Sequence, residues 1–129
     1  MVAVTSLYAL PLAAIYLVLF FRVSAVRSQI GISFGDNGNI LLLQRVRQHG
    51  NFVEWGPFVL ILMMLAEGIG APALYIHISG ALLLVGRIVH PFGLTAENAA
   101  HPLRIIGNST NLLATLNAMV CLALNLLNL

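Results

Sequence analysis

The chain has no lysine and one cysteine, and only 8% of its residues are charged. Each scarcity excludes something. Cys121 stands alone, so an intrachain disulfide cannot form. Set deep in an apolar run, it reads as a small packing residue rather than a reactive thiol. The six basic residues are all arginine and never form a run with interleaved aromatics, so no nucleic-acid partner is expected. His49, His77 and His101 have no metal-ligand spacing, so no metal site is expected either. No positive residue precedes the first apolar run, which therefore does not read as a cleavable signal.

What is present is hydrocarbon. Of the 129 residues 60% are hydrophobic. A bilayer core of about 30 Å takes roughly 20 apolar residues per helix. Four stretches meet that need: Met1–Phe21, Phe52–Gly70, Ala71–Val89 and Ile105–Leu129. Their long continuous runs favour helices over barrel strands, which alternate over about ten residues. Residues 1–129 are therefore expected to form a single all-α domain, an integral-membrane antiparallel four-helix bundle. Arg22, Arg27, Arg45 and Arg47 flank the connection between the first and second spans, and Arg87 and Arg104 flank that between the third and fourth. The second-to-third connection and both termini have none. The positive-inside rule puts the arginine-bearing loops in the cytoplasm and both termini on the other side. A bacterial inner membrane fits the short loops. Arg22 and Arg45 read as topology or headgroup anchors.

Local signals refine this frame. The first helix is expected to run past Phe21, with Arg22 and Arg27 on its cytoplasmic end. Gly31, Gly35, Asp36, Asn37 and Gly38 mark a loop, and Asn39 is a candidate N-cap for a helix from Ile40. Pro57 lies inside that second helix and frees the Val53 carbonyl. The third helix is expected to end near His90, because Pro91 disfavours helix before it. The fourth begins at about Pro102. Asn117, Cys121 and Asn125 share a face that is expected to contact another helix. Glu67, near the far membrane face, is expected to be solvated.

Function is carried by the mouth of the second span. Spacings of four and three residues put Arg47, Asn51 and Glu54 on one helix face. Ionised groups in such a chain are costly without a partner or ligand. A guanidinium, an amide and a carboxylate together suit a small zwitterion; a structural Arg47–Glu54 pair at i and i+7 is the equal alternative. His90 alone reads as a helix C-terminal cap.

The Arg-x-x-x-Asn-x-x-Glu spacing of Arg47, Asn51 and Glu54, with Pro57 three residues on, resembles the MAPEG family, membrane-associated proteins in eicosanoid and glutathione metabolism. Gly86-Arg87-Ile88-Val89-His90 is similar to the Gly-Arg-x-x-His of the microsomal prostaglandin E synthase branch, and Pro102-Leu103-Arg104 is similar to that branch's start of the fourth helix. The resemblance spans nearly the whole chain. It implies a homotrimer with glutathione between subunits near the cytoplasmic face. It implies that Arg47, Asn51 and Glu54 bind glutathione, that Arg87 and His90 line the same pocket, and that Arg104 stabilises the thiolate. Arg27 falls where family members carry a basic residue near the end of the first helix, which implies a further binding role.

Leu94 replaces a Tyr of the prostaglandin and leukotriene branches, Ile105 replaces a Ser, and Trp55 replaces a frequent Tyr. The resemblance therefore implies a general glutathione transferase or peroxidase acting on a lipophilic small molecule, rather than a prostaglandin isomerase. Glutathione's carboxylates suit arginine forks and its ammonium suits Glu54. A nearby cation lowers the thiol pKa from its free value of about 8.5. Two other classes remain: a non-catalytic lipid-binding protein of the same fold, and a small four-span multidrug exporter coupled through Glu54.

Overall fold

The computed structural model describes residues 1–128 and consists of four helices. They are α1 (Ala3–Ile30), α2 (Ile40–Gly68), α3 (Ala73–Gly93) and α4 (Pro102–Leu126), all joined by short loops. No strand occurs among the described residues. Each helix is long and apolar enough to cross a membrane. Four antiparallel spans put both termini at one end and every arginine at the other.

Burial follows the sequence period. On α1 the buried residues are Thr5, Leu12, Leu19 and Val26, one every two turns. Leu12 and Leu19 meet Phe52, Val59, Met63 and Ala66 of α2 and Ile76 and Leu83 of α3 in one core, which Ala114, Ala118 and Cys121 of α4 complete. α1 packs on α2 and α3, and α4 packs on α3 and α2. The rest of each helix presents exposed leucine, isoleucine, valine and phenylalanine. Such a surface suits acyl chains, not water.

The helix starts obey their signals. Asn39 Oδ1 accepts from Leu42 N at 2.9 Å, capping α2 as expected. α1 reaches Ile30, and Gly31 ends it with φ 69°, a conformation that glycine adopts without cost. α4 has Pro102 in its first turn.

Two expectations are corrected. α3 does not stop at His90 but continues through Pro91 to Gly93. Proline there removes one donor in a last turn, and the turn's carbonyls find others. Leu94 N reaches the His90 carbonyl at 3.0 Å. The Gln48 side chain of α2 donates to the carbonyls of Pro91 and Leu94, at 2.8 and 3.1 Å. Glu67 is not left to solvent either. Its carboxylate accepts from Val4 N and Thr5 N, both at 2.8 Å, and from Thr5 Oγ1 at 2.7 Å. α1 has no side-chain cap of its own, so a carboxylate from α2 satisfies its first-turn donors.

The tightest seam joins α3 to α4. A Cβ on Gly93 would strike the backbone of Leu103 and Arg104, one on Gly86 would sit 2.5 Å from Asn111 Oδ1, and one on Gly107 would sit 2.6 Å from His90 Cβ. Small residues bring the two backbones together there, as in other membrane helix pairs. Further along, Asn117 Nδ2 donates to the Tyr75 carbonyl and to Ser79 Oγ, both at 2.8 Å. The expected contact face of α4 therefore does reach α3. Asn125 bonds within its own helix, to the Cys121 carbonyl.

Candidate functional site

The arginine end of the bundle gathers most of the residues singled out from the sequence. On α2, Arg47 Nη1 lies 3.4 Å from Glu54 Oε1, with both side chains 54% exposed. An exposed pair of this kind contributes about 0–1 kcal/mol, so it does not explain its own presence as a stabilising device. It faces away from the bundle interior, where either group could exchange its partner for a ligand's charge.

Asn51, between them on the helix, turns inward. Arg87 Nη1 of α3 donates to Asn51 Oδ1 at 2.6 Å and to the Asn51 carbonyl at 3.2 Å. Arg87 is 1% exposed. A guanidinium held this deep must be paired or hydrogen-bonded to persist, and the bond to Asn51 meets part of that need while tying α3 to α2. His90, one turn further along α3, is equally buried. Its ring stands in the last turn of α3 and has no hydrogen-bond partner among the described residues.

Gln48 is the residue that spacing did not reveal. It is 2% exposed and its two bonds to the end of α3 fix the register between Arg47 and Asn51 on one helix and Arg87 and His90 on the other. Its signal was faint: a neutral amide among charged neighbours, one residue from Arg47.

Two predicted residues make no hydrogen bond to this cluster. Arg104 lies at the start of α4, where its backbone packs on Gly93, and its Nη1 donates to the Ala99 carbonyl at 3.1 Å. Arg27 donates to the carbonyls of Ile32 and Gly35, at 3.2 and 2.9 Å, and so folds the α1–α2 loop. Within one chain, neither joins the Arg87–Asn51 pair.

Two grooves flank the cluster. One, of about 310 Å³, lies between the start of α2 and the end of α3 and is lined by Leu43, Gln44, Arg47, Leu94 and Thr95. The other, of about 270 Å³, lies between α1 and α3, is almost wholly apolar, and has Arg22 and Arg87 on its wall. Both grooves are mostly apolar, and each has an arginine on its wall, so this end of the bundle can hold a lipophilic molecule close to a cation. No group of three or more metal-ligating side chains occurs among the described residues.

Residues 5–124 match the sequence model of the MAPEG family. The chain belongs to that family. It is also similar to the inner membrane protein YecN of Escherichia coli strain K12, with 38% identity over 90 residues covering 70% of this chain and 69% of YecN. The YecN of Escherichia coli O6:H1 strain CFT073 matches to the same extent. No solved structure matches the chain. With its four spans, this MAPEG protein is a multi-pass protein of the bacterial inner membrane, in a family concerned with glutathione and eicosanoid metabolism. The polar set at the mouth of α2 thus lies in a protein whose family uses glutathione.

Proposed function

We propose that the protein is a membrane-bound glutathione transferase, with peroxidase activity on lipophilic hydroperoxides as its companion reaction. The observation that carries this reading is the pairing at the arginine end. Asn51 is held by a buried arginine at 2.6 Å, while Arg47 and Glu54, on the same helix face, stay half exposed and bound only to each other. Arg47 would take a glutathione carboxylate, Glu54 its ammonium, and Asn51 its peptide groups. Arg87 and His90 would back this surface, and Arg27 and Arg104 would belong to the same site across a subunit boundary in a homotrimer.

The chemistry asks little beyond placement and charge. Glutathione's S–H bond breaks and its proton passes to water, leaving a thiolate opposite the Arg104 cation. In transfer, sulfur forms a bond to an electrophilic carbon of a molecule dissolved in the bilayer, and a leaving group departs or a ring opens. In peroxide reduction, the thiolate attacks the terminal oxygen and the O–O bond breaks to release an alcohol. A second glutathione then displaces the oxygen from the resulting sulfenic acid, giving water and the disulfide. Holding both reactants at the same end of the bundle supplies the proximity.

Calorimetry on detergent-purified protein tests the reading. Wild type is expected to bind glutathione saturably, and Arg47→Ala to abolish or strongly weaken binding. Arg104→Ala is expected to bind glutathione but lose the ultraviolet absorbance of its thiolate at neutral pH. A folded wild-type protein that binds no glutathione would sink the reading and move weight to lipid binding or export.

A further inference from the structure

Six buried polar atoms on three residues have no hydrogen-bond partner among the described residues: Nε and Nη2 of Arg87, Nδ1 and Nε2 of His90, and Nδ2 and Oδ1 of Asn111. None of the three residues is more than 1% exposed. Asn111 and His90 lie on the α3–α4 seam in an alternating pattern, and Arg87, whose Nη1 reaches across to Asn51 of α2, neighbours them on α3. Asn111 of α4 sits over Gly86 of α3, and His90 of α3 sits over Gly107 of α4. Each polar side chain occupies the space that the facing glycine leaves, and Arg87 follows Gly86 in the chain.

The neighbouring hydroxyls do not serve these atoms. Thr110 Oγ1 donates to its own helix, at the carbonyls of Ile106 or Gly107. Thr115 Oγ1 donates to the Asn111 carbonyl and not to its amide. The Asn108 side chain approaches the His90 ring but closes no hydrogen bond of normal geometry with it. An unpaired amide in a membrane interior costs as much as a lost hydrogen bond or more, since no bulk water can reach it. An apolar residue at position 111 would avoid that cost. Unpaired donors and acceptors along one seam are what a structural water needs, because it takes two to four polar partners.

We propose that the α3–α4 seam holds an internal water shared by Asn111, His90 and Arg87, and that Asn111 acts through it as a positioning residue of the glutathione site. The water accepts from the Arg87 guanidinium or the Asn111 Nδ2 and donates to Asn111 Oδ1 or a His90 nitrogen. It thereby fixes the imidazole tautomer and holds the guanidinium that carries Asn51. The second half of the proposal rests on the glutathione reading, whereas the water does not.

The experiment uses full-length protein in lipid bilayers. Water-edited solid-state NMR measures how fast water magnetisation reaches individual side chains. In wild type, the Asn111 amide and His90 ring are expected to polarise as fast as exposed loop amides, and in Asn111→Leu the His90 ring is expected to slow. Polarisation of both groups as slow as that of buried Ser79 would overturn the water. For positioning, Asn111→Leu is expected to stay folded, with a cooperative thermal transition, yet to bind glutathione roughly fivefold to tenfold more weakly. Asn111→Ser, which keeps a polar atom and leaves room for a second water, is expected to bind near the wild-type level. Unchanged affinity in Asn111→Leu, or equal losses in both variants together with lowered melting temperatures, would overturn the positioning role. Wild type that shows the fast polarisation but binds no glutathione would overturn the positioning role through the parent reading and leave the water standing.

Discussion

Glu67 and Arg87 are both ionised side chains in apolar helices, and the bundle uses them at opposite ends. Glu67 accepts three hydrogen bonds from the first turn of α1. Glu67→Gln keeps the shape but offers only one acceptor oxygen, so it is expected to cost about 1 kcal/mol. That loss should read as a lower melting temperature with glutathione affinity unchanged. An affinity loss would mean that the far end of the bundle feeds the site. Arg87 is expected to behave the other way. Arg87→Met and Asn51→Leu should each weaken glutathione binding, and a double-mutant cycle should return a coupling of about 1–3 kcal/mol. Additive effects would remove the 2.6 Å bond between them from the account. The two residues also mark how far spacing reads a site. Arg47, Asn51 and Glu54 were legible because three- and four-residue steps on one helix define one face. The union of Asn51 with Arg87, 36 positions along the chain, depends on how α2 packs on α3, and no local pattern encodes it. Gln48 stayed hidden for a related reason: an amide announces no charge, and its importance comes only from burial.

At the level of elements, hydropathy found all four helices, since a hydrocarbon environment leaves helix as the way to satisfy a backbone over 20 or more residues. It misjudged one end. Pro91 was read from its local geometry alone, whereas the tertiary bonds from Gln48 let α3 carry on to Gly93. That extra turn matters because Gly93 is the point where α3 meets the start of α4. Gly93→Ala would drive a Cβ into the backbone of Leu103 and Arg104. Backbone cannot move aside as a side-chain tip can, so the expected cost is about 1–3 kcal/mol. Because Arg104 starts at that contact, thiolate formation should fall along with stability. Gly68→Ala is the matched control. Nothing lies within 4 Å of a Cβ there, and alanine in place of a helical glycine should be neutral or stabilise by up to about 1 kcal/mol. Thermal unfolding in detergent distinguishes the two. Equal responses would show that the α3–α4 seam is looser than its glycines imply.

On the scale of the whole molecule, every arginine sits at one end, yet the chain by itself leaves the candidate site residues divided. Arg87 and Asn51 are joined inside the bundle, the Arg47–Glu54 pair faces out of it, and Arg104 is occupied with its own loop. A single copy therefore leaves Arg47 and Arg104 unjoined. The proposed homotrimer would bring the Arg47 side of one copy against the Arg104 side of the next, in a closed head-to-tail ring. Complementation tests this directly. Arg47→Ala and Arg104→Ala, each purified alone, are expected to give no bound thiolate. Co-expressed in equal amounts and allowed to mix at random, they should regain about a quarter of the wild-type sites, because one ring interface in four would join the two intact halves. The regained sites should titrate with wild-type affinity, since each is chemically complete. No recovery in mixed assemblies whose composition is verified by native mass spectrometry would place Arg47 and Arg104 in the same subunit's site, or would leave one of them out of it.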